Sequence, residues 1–137
     1  MSDHRKLKVW HRAMDFVTSV YRLTANYPAH ELYGLASQIR RAATSIPLNI
    51  AEGAASGYGA EYQRFLRLAI RSANEVETGL EIAQRLGYSQ ATITQQHIGE
   101  VNQIAAMLQG LHRSLTHVAE PTEIYTIAEI QVDEETN

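Results

Sequence analysis

The sequence predicts an all-α protein, an antiparallel up-down-up-down four-helix bundle, on three observations. Four stretches carry apolar residues at the alternating three- and four-residue spacing of a helix buried along one side. Proline and glycine punctuate the joints between them, so the connections are short. No strand-like alternation competes before Ile124.

The first helix is predicted over Lys6 to Asn26. Val9, Ala13, Phe16, Val20, Leu23 and Tyr27 form its seam. A second stripe lies beside it, Trp10, Met14, Val17 and Tyr21, and makes the apolar face wider than one bundle core needs. A thickly buried helix is one reading. The preferred one is a helix that also faces another subunit, because Trp10 and Tyr21 can bury their rings and keep a polar atom wet. Asn26 is the expected helix-ending residue and Pro28 prevents continuation.

The second helix is predicted to begin near Leu32. Leu35, Ile39, Ala42 or Ala43, Ile46 and Ile50 stay in phase across Pro47. Proline removes the donor for the Ala43 carbonyl, so one helix kinked at Pro47 is expected. The alternative is a second half restarted and capped by Thr44 or Ser45. Asn49 and Glu52 are expected to satisfy backbone donors around the kink, and Gly53, Gly57 and Gly59 to supply the turn.

A third helix is expected from Ala60 to Leu86, with Tyr62, Phe65 or Leu66, Ala69, Ala73, Val76, Leu80 and Ala83 inward and Gly87 as its left-handed cap. The fourth is expected to be capped by Ser89 or by a Thr92–Gln95 capping box. Its seam is Val101, Ile104, Leu108, Leu111, Leu115 and Val118. Gly99 and Gly110 inside it each cost about 1 kcal/mol relative to alanine, and close backbone packing is the expected compensation.

The chain divides into a bundle, residues 1–119, and an acidic tail, residues 120–137. The net charge of −3 conceals this division. Glu120, Glu123, Glu129, Asp133, Glu134 and Glu135 are unaccompanied by Lys or Arg. Setting those six aside leaves nine of the fifteen acids against twelve basic residues, a body charge of +3. The tail is read as loosely attached or disordered in isolation, or as an addition to a neighbouring subunit, and its six acids could shield the arginines or mimic a nucleic acid.

Composition excludes several classes of chemistry. With no cysteine there is no disulfide, thiolate nucleophile or sulfur-ligated zinc, which favours an intracellular, cytoplasmic protein. No apolar run approaches the roughly 20 residues of a membrane span. The six histidines (His4, His11, His30, His97, His112 and His117) include no His-x-x-x-His pair. Gly53-x-x-x-Gly57-x-Gly59 lacks the Gly-Lys-Ser/Thr ending of a phosphate loop and follows a helix. Glu52 has no nucleophile or histidine near it in sequence, and Ser56 and Ser114 have no nucleophile-elbow context. No enzyme, metal or cofactor is expected.

What remains is a set of arginines. Arg64, Arg67 and Arg71 are spaced to line one helix face, and Arg40 and Arg41 sit together on the second helix. Such a stripe suits phosphates, because guanidinium stays charged and presents several donors. The competing reading is a solvated face with local pairs, Glu61–Arg64 and Arg71–Glu75.

Several strings in this chain resemble a known family. They are Val9-Trp10, the run from Leu35 to Gly53 (Leu-Ala-Ser-Gln-Ile-Arg-Arg-Ala-Ala-Thr-Ser-Ile-Pro-Leu-Asn-Ile-Ala-Glu-Gly), Glu61 to Leu66, Ser72 to Glu77, Leu86-Gly87-Tyr88 and Met107 to Leu115. They look like the bacterial four-helix-bundle family found as reading frames in intervening sequences of large-subunit ribosomal RNA genes. The resemblance implies rings of five bundles, a homopentamer. A similar fold is the accessory variability determinant of diversity-generating retroelements, so nucleic acid and a reverse transcriptase are the partner classes implied. Relatives commonly carry basic residues after Gly53, whereas Ala54–Ala60 here has none, so that loop is not expected to supply a basic contact. Taken together, the expectation is a non-enzymatic oligomeric module associated with RNA or DNA. Arg40, Arg41, Arg64, Arg67 and Arg71 would contact phosphates, and Trp10, Met14, Val17 and Tyr21 would face a neighbouring copy. The alternative is a protein-interaction module that binds no nucleic acid.

Overall fold

The computed structural model describes residues 3–57 and 59–115. Among them the order is a 3-10 turn His4–Lys6, α1 Lys8–Thr24, a second 3-10 turn Ala29–Glu31, α2 Leu35–Ala55, α3 Gly59–Arg85 and α4 Ala91–Ser114. The acidic tail, the 119/120 boundary, His117 and Val118 lie outside the described residues.

Each helix packs on its chain neighbours, and α1 closes the ring against α4. The α2–α3 contacts run antiparallel. Going up α2, an added Cβ at Gly79 would meet Ile39, Ser45 Oγ lies 2.8 Å from Ser72 Oγ, and an added Cβ at Gly53 would meet Tyr62 and Phe65. The up-down arrangement follows from seams that must bury their apolar side over short loops. Every predicted seam residue among those described is buried, except that Leu35 and Phe65 are half-buried and Leu66 takes the inner place. At the smaller α1–α4 interface a polar clamp adds support. Arg12 holds Glu100 with two bonds of 3.0 and 2.8 Å and donates to Gln103 at 2.6 Å.

The helix ends depart from expectation. α1 starts two residues late because Leu7 is extended and fully buried, anchoring a separate turn in which Asp3 accepts from the Arg5 N–H at 3.0 Å. It ends at Thr24, with Ala25 and not Asn26 at the cap. The second helix begins at Leu35, not Leu32. Glu31 folds back so that Oε1 accepts the Leu35 N–H at 3.0 Å, and a Cβ at Gly34 would sit 2.6 Å from that oxygen. A backbone donor at a helix start is thereby satisfied.

α2 is one continuous helix through buried Pro47, so the restarted alternative does not hold. Thr44 Oγ1 donates back to the Arg40 carbonyl at 2.8 Å and does not cap. Asn49 also corrects the reading. It satisfies acceptors and not donors, giving Nδ2–H to the Ser45 carbonyl at 2.8 Å and to Ser45 Oγ at 2.9 Å. Glu52 is exposed on the helix.

Gly87 ends α3 with φ +76°, and the Tyr88 N–H reaches the Ala83 carbonyl at 3.0 Å, as a left-handed cap requires. At α4 neither expected cap forms. The cap position is Gln90, Ser89 Oγ pairs with the buried Thr94 Oγ1 at 2.6 Å, and Gln95 reaches back to Gln84 on α3 at 2.9 Å. Gly110 is buried, but among the described residues nothing lies within 4 Å of a Cβ built on Gly99, so its cost is not compensated by them.

Candidate nucleic-acid interface

Arg64, Arg67 and Arg71 are all exposed on one face of α3. Their surroundings differ. Arg64 forks onto Glu61 with bonds of 2.7 and 3.2 Å and stacks 4.4 Å over the Phe65 ring. That hydrogen bonding, and then the opposite charge, hold the Glu61 carboxyl below its ordinary range and raise the Arg64 guanidinium. Arg64 is thus partly neutralised. The expected Arg71–Glu75 ion pair is not formed among the described residues, which leaves Arg71 with more of its charge available.

Arg67 reaches across to α4. Its Nη1–H donates to His112 Nε2 at 3.2 Å, which sets the ring as a neutral imidazole with its proton on Nδ1. Burial, then the charges of Arg67 and Arg113, push the His112 pKa below its usual value. Gln63 Nε2 donates to the His112 carbonyl at 3.1 Å and ties the two helices together at this level. His112 and Arg113 therefore extend the α3 stripe across the α3–α4 seam. Spacing along one helix cannot find such neighbours. The signal available in the sequence was the antiparallel register, which brings the end of the fourth helix beside the start of the third.

Arg40 and Arg41 do not join this group. Arg40 Nε–H donates to Thr24 Oγ1 at 2.7 Å, and Nη2–H reaches the Tyr21 carbonyl at 3.4 Å, with the guanidinium 4.7 Å over the Tyr21 ring. It places a cation at the α1 C-terminus, where the helix dipole favours one. Arg41 is exposed beside it and lines a shallow depression with Tyr21, Leu32, Tyr33 and Ser37. In the helix order α1–α2–α3–α4, the α1–α2 seam lies across from the α3–α4 seam. The five arginines thus form two patches on opposite sides of the bundle.

The second α1 stripe is also divided. Trp10 is half-buried, with its ring edge-on to His4 at 4.8 Å and His11 at 4.9 Å, and Val17 packs on the core. Met14 and Tyr21 remain 43% and 46% exposed. Leu48 at 60% and Tyr33 at 93% join them from α2 and the loop before it. The Arg40–Thr24 contact sets the antiparallel register, so Leu48, eight residues further along α2, falls level with about residue 16 of α1, between Met14 and Val17.

Among the described residues no group of three His, Asp or Glu side chains can hold a metal ion, and no helix is long and apolar enough to cross a membrane. Fold and surface together define a helical-bundle module whose distinguishing chemistry is charge on its outer faces. The sequence profile of the 23S rRNA-intervening sequence protein family matches residues 5–110, and the chain belongs to that family. This agrees with the resemblance read from its residues. It is also similar to the crystal structure of a protein of unknown function from the S23 ribosomal protein family of Bacteroides thetaiotaomicron. The TM-score is 0.70 at 24% identity, over 77% of this chain and 98% of that one, a likeness that shows the fold. No curated protein matches the sequence.

Proposed function

We propose that this protein is a non-enzymatic, cytoplasmic, oligomeric scaffold that binds nucleic acid through phosphates on the α3–α4 seam. The observation that carries the reading is the exposed row Arg64, Arg67 and Arg71 with His112 and Arg113 beside it. Phosphate contacts of this kind position a nucleic acid without reading its bases. Repetition around a ring of subunits, five being the number the resemblance implies, multiplies a modest patch into an extended field. Arg40 is a structural cation in this reading, and Arg41 belongs to a separate patch.

The test is fluorescence anisotropy with short labelled RNA and DNA at several salt concentrations. Saturable binding that weakens steeply with salt is expected. Replacing Arg64, Arg67 and Arg71 together by Glu should abolish it with helicity unchanged. Binding that survives this reversal refutes the assignment.

A second reading, a protein-interaction module, is favoured by the surface around Arg41. Tyr33 and Tyr21 beside an arginine are residue types that anchor protein interfaces. Docking there would persist at high ionic strength, where phosphate binding is lost.

A further inference from the structure

Between α2 and α3 runs a groove that the described chain leaves open. Ile39 and Gly79 form its floor, where an added Cβ on the glycine would sit 2.7 Å from Ile39 Cγ1. Leu35, Gln38, Glu75, Thr78 and Ile82 line it around an opening of about 100 Å³. Ile82 is 45% exposed, and Leu86, one turn further along α3, is 54% exposed. Adjacent large apolar groups left in water beside a groove mark a surface that another molecule covers.

The two rims of the groove match row by row. Ile39 stands level with Gly79 and Ser45 with Ser72, and each step up α2 is a step down α3. Leu35, Gln38 and Arg41 on α2 therefore stand level with Ile82, Thr78 and Glu75 on α3, to within about 2 to 3 Å. The rows pair apolar with apolar, amide with hydroxyl, and cation with anion. Gln38, Arg41, Thr78 and Glu75 are exposed, and among the described residues no ion pair or side-chain hydrogen bond joins them across the groove. The matched chemistry is left free on the surface.

A two-fold axis parallel to these helices exchanges the rims, so that α2 of one copy faces α3 of the other at the same height. A patch that meets itself in this way must be self-complementary. Matched rims satisfy that condition.

We propose that a second copy of this chain docks on the α2–α3 groove about such an axis. Leu35 packs on the partner's Ile82, Gln38 bonds the partner's Thr78 and Arg41 pairs with the partner's Glu75, each contact being made twice. Charge selects this occupant. One cation and one anion on the rims suit neither a polyanion nor an anionic membrane surface, whereas a second copy brings the opposite charge to each height. The rows are short, which places the contact among small, exchanging interfaces. It is separate from the α1 stripe and does not depend on the nucleic-acid reading, since Arg64 and Arg67 lie about 12 to 17 Å further along α3 than Glu75.

Sedimentation velocity of the full chain over a range of concentrations tests the contact. Arg41→Glu or Glu75→Arg alone brings like charges together twice, so each should weaken association on the order of tenfold and halve the mass found at concentrations where the parent is paired. Both positions are exposed, and circular dichroism should stay helical. The decisive sample is an equimolar mixture of the two variants. There each charge again meets its opposite across the axis, and the parent mass should return. An effect exerted within one chain would leave the mixture as dissociated as its parts. The chain has no cysteine, so a mixture of Gln38→Cys and Thr78→Cys chains gives a second readout, in which oxidation should crosslink the mixture faster than either chain alone. A parent mass that neither charge reversal changes, or a mixture that stays dissociated and gains no crosslink, overturns the proposal.

Discussion

His112 shows how one side chain acquires a role through its neighbours. On its own helix it is a half-buried histidine near a C-terminus, where a cation is usually favoured. Burial and the facing Arg67 and Arg113 oppose that and lower its pKa, so it is the neutral ring that accepts from Arg67. The consequence for stability has a definite sign. Between the unfolded value near 6.5 and the depressed folded value the unfolded chain binds more protons, so stability falls as pH drops through that window. The His112→Gln chain should lack this component, which denaturant melts at pH 7 and pH 5.5 would reveal. Polyanion binding works the other way. A phosphate beside Arg67 favours the imidazolium, so affinity should rise as pH falls towards the depressed folded value in the parent and not in the variant. Equal pH profiles for the two would remove His112 from the interface.

The helices carry two glycines whose contexts predict opposite outcomes. Gly99 lies on the exposed side of α4 with open space where a methyl group would go, so Gly99→Ala should stabilise by about 1 kcal/mol through helix propensity. Gly79 is buried on α3, where a methyl would sit 2.7 Å from Ile39 Cγ1 on α2. There Gly79→Ala should destabilise by about 1–3 kcal/mol, overpacking exceeding the propensity gain. Urea melts of both chains separate the cases. A destabilised Gly99→Ala chain would indicate that a partner subunit approaches α4 at that point. The same contrast explains why the close packing expected at Gly99 is found at Gly79 and Gly53 instead. Periodicity marks a glycine within a helix, whereas the facing helix decides whether its missing side chain is used.

At the scale of the whole molecule, Met14, Tyr21, Leu48 and Tyr33 are large apolar or aromatic groups left exposed on the α1–α2 side. In the oligomeric reading a second copy covers them. The double substitution Met14→Glu and Leu48→Glu should then lower the mass measured by light scattering while circular dichroism stays helical, because both positions face away from the core. An unchanged mass would move the interface to another face. Trp10 and Val17 are poorer probes, since they pack on their own chain and their loss would weaken the bundle itself.

The seams from Val9 to Tyr27, Ile39 to Ile50, Tyr62 to Ala83 and Val101 to Leu115 were legible in the sequence, and so was the Gly87 cap. Helical periodicity is a local property, and burial must follow it once four such stripes share a short chain. The caps at Ser89, Thr92 and Asn26 were misread because Ser and Thr hydroxyls and the Asn amide have several partners within reach; Asn26 Nδ2–H donates back to the Arg22 carbonyl. The choice between capping and back-bonding depends on what packs nearby: Thr24 serves Arg40, Thr94 serves Ser89, and Asn49 serves Ser45. The arginines were found by spacing, but their division into two patches was decided by the order of helices around the core. Side-chain charge is written in the sequence one residue at a time; which charges act together depends on distances between helices that only packing sets.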